Sequence, residues 1–170
     1  MARRTGLREF QLSVAERIRT AATRAALASK LGFQVGADNW FVSLHQVNEV
    51  IPSPAILPVP RTHSWFRGVA NVRGNLYSIL DFSAFVGGEP IAPGAERRVI
   101  LINDRLVAGA GLLVSRMLGL RNPEQFTAAP RPAGASAWVA GAYTDAGGTR
   151  WFELDLPSLV REQRFLEVGA

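Results

Sequence analysis

The sequence predicts a mainly β fold, built as two packed small barrels of about five strands each, with a helix near either end. Three observations predict it. Short apolar runs of strand length recur from Leu31 to Leu156. Glycines fall at the bends between or within them. Extended helical periodicity is confined to the two ends of the chain.

The first element is a helix. Leu7, Phe10, Val14, Ile18, Ala21 and Ala25 recur every three or four residues, while Arg8, Glu16, Arg17, Arg19 and Arg24 fall largely off that stripe. This alanine-rich helix either packs on the body of its own chain or docks a partner. The division is residues 1–30 as an amphipathic extension and 31–170 as the body of two interlocked barrel subdomains.

From Leu31 the texture changes. LGFQVG and WFVSL flank Ala37-Asp38-Asn39 and read as a hairpin, with Phe33, Val35 and Phe41 facing the core. HQVNEVIP continues it. Prolines at 52, 54, 58 and 60 then forbid a central strand, so SPAILPVP is an extended edge or connector. THSWFRGVAN reads as a short turn or helix ended by Gly68. GNLYSILDF is a strand with Leu76, Ile79, Leu80 and Phe82 buried, and SAFVGG a short helix stopped by glycine. RVILIN and LVAGAGLLV form a second hairpin across Asp104-Arg105, with Gly109 and Gly111 marking a bulge or tight bend. RNPEQFTAAPRPAGASA is a long loop. WVAGAYTD and GGTRWFELDL form a third hairpin. Leu156 to Val168 closes the chain as an amphipathic helix with Leu159, Val160, Phe165 and Leu166 inward.

Bulk composition narrows the function. Of 170 residues, 48% are hydrophobic and 19% charged, which supports a packed core and argues against disorder. There is no cysteine and only two histidines, His45 and His63, so disulfides and thiolate metal sites are excluded and no metal or other cofactor is expected. The net charge of +5 lies wholly in residues 1–30, which hold seven basic and two acidic residues; the other 140 hold twelve of each. A neutral body offers little attraction for phosphates, so nucleic acid is not an expected partner. A small-barrel nucleic-acid binder remains the main rival of another class. No apolar run reaches the length of a membrane span. Arg3-Arg4 is not followed by an uninterrupted apolar segment, and a cytoplasmic location is expected.

Catalytic groups are sparse. Neither histidine has a motif around it, and no nucleophile elbow, phosphate loop or zinc-protease motif occurs. Asp38 with Glu49, or Asp81 with Asp155, fit turns and ion pairs better than acid–base work. No catalytic residue is assigned and the protein is read as no enzyme. The most informative stretch is residues 66–82, FRGVANVRGNLYSILDF. Arg73 stands at a corner between Asn71 and Gly74. It either grips an outside partner or forms an ion pair with Asp81 or Glu49, and from the residues alone the second reading leads.

Phe66, Arg67, Gly68, Val69, Asn71, Val72, Arg73, Gly74 and Asp81 follow one another as in the core motif of CheW-like adaptor domains, which the chain resembles from residue 31 to about 168. GFQVGADNWFVSLHQVNEV looks like that family's opening hairpin and its following segment. Gly111 to Val114, and Gly141, fall in the same order. ANVRG, FVGGE, FLEV and the helical extension are similar to the twitching-motility, PilI-like branch. Ser115-Arg116 departs from the acidic residue usual there.

The resemblance implies two packed five-stranded SH3-like barrels. It implies a non-enzymatic scaffold coupling the cytoplasmic tip of a methyl-accepting chemoreceptor to a CheA-like histidine kinase, recruited to membrane-associated receptor arrays and controlling type IV pilus twitching motility. Receptor-facing residues would be Val47, Glu49, Val50, Ile51, Gly68, Asn71, Arg73 and Gly74. The apolar, proline-bearing edge at Ile56, Leu57 and Val59 would face the kinase. Under this resemblance the ion-pair and receptor-contact readings of Arg73 draw level.

Overall fold

The computed structural model describes residues 29–170, so the helix expected over residues 7–27 lies outside the described residues. Among the described residues eleven strands form two sheets. β1 (Lys30–Val35) and β2 (Asp38–Ser43) make the first hairpin. Its turn is tighter than the sequence suggests. Val35 pairs with Asp38, leaving Gly36-Ala37 as the loop, with Gly36 at φ 58°. The chain then leaves this sheet rather than continuing it. β3 (Val47–Pro52), β4 (Phe66–Val72), β5 (Asn75–Asp81), β6 (Arg98–Ile102) and β7 (Ala110–Val114) form a five-stranded sheet ordered β3-β6-β7-β5-β4. The chain returns as β8 (Arg116–Arg121), β9 (Phe126–Ala129), β10 (Val139–Asp145) and β11 (Arg150–Leu154), completing a six-stranded sheet ordered β8-β1-β2-β11-β10-β9.

Each sheet joins two antiparallel groups of two or three strands through one parallel pair, β5 with β7 and β2 with β11. A parallel pair requires a crossover. For β2 and β11 that crossover contains the whole five-stranded sheet, so one sheet is inserted in sequence between the strands of the other.

The main core lies between the sheets. Phe33, Trp40, Val42 and Leu154 of one face Leu80, Ile100, Leu112 and Val114 of the other, with Phe82, Phe85 and Trp138 wedged among them. A smaller cluster of Ala70, Ile79, Ile91, Val99, Leu101 and Leu113 fills the inner side of the five-stranded sheet. Gly111 is there for space and marks no bulge. A Cβ would stand 2.7 Å from Val99 Cγ1, and its strand pairs in unbroken register on both sides.

Several expectations are corrected. THSWFRGVAN is largely β4, because Phe66, Gly68 and Ala70 bury alternate positions. The expected loop after residue 121 contains β9, and β8 precedes it; both are exposed edge strands with little apolar patterning. The closing helix is two turns, α2 (Leu156–Leu159) and α3 (Gln163–Leu166), and Leu166 is exposed. Leu76 is also exposed, at 66%. The short helix α1 (Phe82–Phe85) forms as expected, capped by Asp81, whose carboxylate accepts from Ala84 N at 3.1 Å.

Candidate functional site

The site begins with a turn. Asn71 and Leu76 pair across the β4–β5 hairpin, as do Val72 and Asn75, leaving Arg73-Gly74 as a two-residue loop. Both loop residues have positive φ, 52° and 88°. That is the mirror-image turn whose twist matches paired strands. Asn71 steadies it by accepting from Gly74 N through Oδ1 at 2.9 Å. Its side chain is therefore committed to the corner.

Arg73 projects from this corner to the opposite side of the sheet. Its Nη2 and Nη1 donate to Oε1 and Oε2 of Glu49, at 2.7 and 2.8 Å. Glu49 lies on β3, three to four strand spacings away, about 14–19 Å if the sheet were flat. The contact exists because the sheet curls until β3 and the β4–β5 turn meet. Asp81 is not the partner. It is fully buried, and besides its cap it accepts from Ile91 N at 2.8 Å. The Arg73 side chain stays 74% exposed and that of Glu49 36%. The pair is a surface feature with its guanidinium largely open to solvent.

The connector completes the seam. After β3 it crosses to β4, where Leu57 and Val69 exchange backbone hydrogen bonds at 2.8 and 2.9 Å. Gly68 makes this approach possible. At φ 125° a Cβ would stand 1.9 Å from Leu57 O, an impossible distance. The register also shifts at this point of β4. With its backbone held, Leu57 leaves its side chain 68% exposed and Val59 38%, while Ile56 is half-buried on the smaller core.

The structure separates the residues marked in the sequence. Glu49, Asn71, Arg73 and Gly74 gather at one corner. Val47 and Val50 pack against the main core, and Ile51 against the smaller one, so all three support β3 from within more than they line an open groove. Leu57 and Val59 form a separate exposed stretch. Leu76 was missed. Its pairing opposite Asn71 puts it on the outer face beside the corner, a register that follows once the turn is fixed at Arg73-Gly74. Ser115 and Arg116, where the resemblance leads one to expect an acidic residue, take local partners. Ser115 Oγ accepts from Gly36 N at 3.3 Å and Arg116 Nε donates to Gln34 Oε1 at 2.5 Å.

The groups weighed for acid–base work are engaged or apart. Asp155 accepts from Ser158 Oγ at 2.6 Å, and His63 stacks on Trp65 with centroids 5.5 Å apart. Among the described residues no group of three or more His, Cys, Asp or Glu is placed to hold a metal. No helix among them is long and apolar enough to cross a membrane.

Comparison with known proteins agrees with this architecture. The model of the CheW-like domain matches residues 30–164. Protein PilI of Pseudomonas aeruginosa is 29% identical over 147 residues, covering 83% of this chain and 80% of its own. Protein FrzA of Myxococcus xanthus is 30% identical over 106 residues, covering 62% and 65%. The crystal structure of the scaffolding protein TtCheW from Thermoanaerobacter tengcongensis superposes with a TM-score of 0.67, at 18% identity, over 83% of this chain and 97% of that one. With one curled sheet inserted in sequence between the strands of the other and a family match spanning nearly all of the described residues, the chain belongs to the CheW-like domain family.

Proposed function

We propose that this protein is a non-enzymatic cytoplasmic adaptor. It couples the cytoplasmic tip of a methyl-accepting chemoreceptor to a CheA-like histidine kinase, in an array that controls type IV pilus twitching motility. The observation that carries the branch is the likeness to Protein PilI across about four fifths of both chains. The surface fits a scaffold's task. The receptor side would be the corner of Glu49, Asn71, Arg73 and Gly74, flanked by Leu76 and held in shape by Gly68. Val47, Val50 and Ile51 would set the position of β3 beneath it. The open guanidinium offers hydrogen bonds that fix the register of a helical partner, and Leu76 offers apolar contact beside them. The kinase side would be the connector, where Leu57 and Val59 present apolar side chains from a fixed backbone and Ile56 anchors the segment.

The test is a three-component reconstitution with the receptor fragment and the kinase of the same organism. The adaptor reading requires that the kinase sediment with the receptor only when this protein is added. Binding to neither partner, or to one without bridging, contradicts it.

A further inference from the structure

The six-stranded sheet curls around a second interior that the seam does not use. Phe41, Phe126, Tyr143 and Trp151 meet there, with Phe126 of β9 only 5.2 Å from Phe41 of β2 by ring centroids. Those strands are three spacings apart, about 14 Å in a flat sheet. One end of this interior opens as a cleft of about 410 Å³ between Arg121, Phe126, Asp145, Gly147 and Trp151.

Arg121 reaches the cleft from β8, at the edge of the sheet. Its guanidinium carbon lies 5.1 Å from the centroid of the Trp151 ring, a cation–π contact that helps hold it there. The stem passes over Gly32, where a Cβ would stand 3.2 Å from Arg121 Cγ and from the Trp151 ring. Arg121 Nε is buried and has no hydrogen-bond partner among the described residues. The carboxylate at the rim, Asp145, is already served. It accepts from Gly147 N, Thr149 N and Trp151 Nε1 at 3.0, 2.9 and 2.9 Å. The indole thus holds Asp145 by its N–H and Arg121 by its ring. The nearby Lys30–Glu153 pair, at 2.6 Å, is likewise closed on itself, with Tyr143 donating to Glu153 at 2.8 Å.

A guanidinium that is held in place and makes no hydrogen bond among the described residues is suited to the two oxygens of a carboxylate. Barrel mouths are also common binding places. We propose that this mouth is a docking subsite for an acidic segment of a partner protein, with a glutamate or aspartate carboxylate seated on Arg121. The open outer edge of β8 gives such a segment a line of approach, since no strand pairs there among the described residues. The subsite lies on the other sheet from the Glu49–Arg73 seam and stands independently of the receptor and kinase assignments.

The experiment is NMR titration of the isotope-labelled full chain, followed at the Trp151 indole N–H. The probes are a short glutamate-rich peptide with both ends blocked, the matching lysine-rich peptide, and sodium phosphate. The expected result is a saturating Trp151 shift with the glutamate peptide alone. Arg121→Gln should weaken it ~tenfold or more, and Arg121→Lys, which keeps charge and stem, should weaken it less. An unmoved Trp151 signal overturns the proposal. So does an equal response to the lysine peptide, or to phosphate, or unchanged binding in a folded Arg121→Gln variant. If Arg121→Gln does not fold, Arg121→Lys decides alone: binding as tight as in the wild type overturns the proposal.

Discussion

Arg73 and Glu49 form a two-pronged ion pair, at 2.7 and 2.8 Å, between the β4–β5 turn and the strand at the far side of the same sheet. The pair is local in space and distant in the chain. It closes a seam that the backbone leaves open, beside the connector that Leu57 ties to Val69. It also leaves Arg73 mostly exposed. The same side chain can therefore brace the barrel and face a partner.

The bracing is expected to be weak. Both groups are more than a third exposed, and solvent screens such pairs. A double-mutant cycle with Glu49→Gln and Arg73→Gln should give a coupling of about 0.2–1 kcal/mol by denaturant unfolding. A coupling several times larger would make the pair a structural keystone.

Gly68 carries more weight than the ion pair. Gly68→Ala places a methyl where Leu57 O lies, so the connector must lift from β4 and lose two backbone hydrogen bonds. The expected cost is about 3 kcal/mol. Gly74→Ala meets no atom within 4 Å and pays only for its positive φ, about 1–2 kcal/mol. Parallel unfolding curves of the two variants check this order, and equal losses would refute it.

Leu57→Asp should leave stability within about 0.5 kcal/mol of the wild type, since the side chain is exposed and the backbone makes the sheet contact. It should abolish kinase binding while receptor binding persists. Loss of both together in a folded variant would remove the connector from the kinase-facing role.

Much of the fold was legible because the paired strands carry their apolar pattern openly. β1, β2, β6, β7, β10 and β11 follow from runs such as LGFQVG and RVILIN. β4 was hidden because its inward positions include Gly68 and Ala70, which read as a turn. β8 and β9 were hidden because edge strands bury little and need no apolar stripe. Leu76 was misplaced for a different reason. A turn fixes register, and sequence did not show that the turn was Arg73-Gly74 alone. The candidate corner was half legible. Glu49 and Asp81 were both open as partners of Arg73, and the choice rested on how far the sheet curls. The Arg121–Trp151 contact had no signal in the chain, because it arises from the curl of the other sheet.

Tyr143 offers a pH probe of that other sheet. Burial pushes its phenol above the ordinary value of 10.0, and the hydrogen bond to and charge of Glu153 push it further. A raised acid stays neutral in the folded state after the unfolded one ionises. Its contribution is therefore full below the unfolded-state value near 10.0 and is lost as pH rises through the folded one. Tyrosinate absorbance should show a late component that disappears in Tyr143→Phe and moves earlier in Glu153→Gln. A late component that survives Tyr143→Phe would belong to another group.

The most direct measurement is receptor binding by two variants, Arg73→Glu and the charge-swapped Glu49→Arg with Arg73→Glu, each first shown to be folded by circular dichroism. The swap restores an ion pair across the seam but reverses the charge presented outside. Both variants should lose receptor pull-down, with affinity falling ~tenfold or more, and only the swap should regain wild-type stability. Undiminished receptor binding by folded Arg73→Glu, or binding rescued by the swap, would show that Arg73 serves the barrel and not the partner.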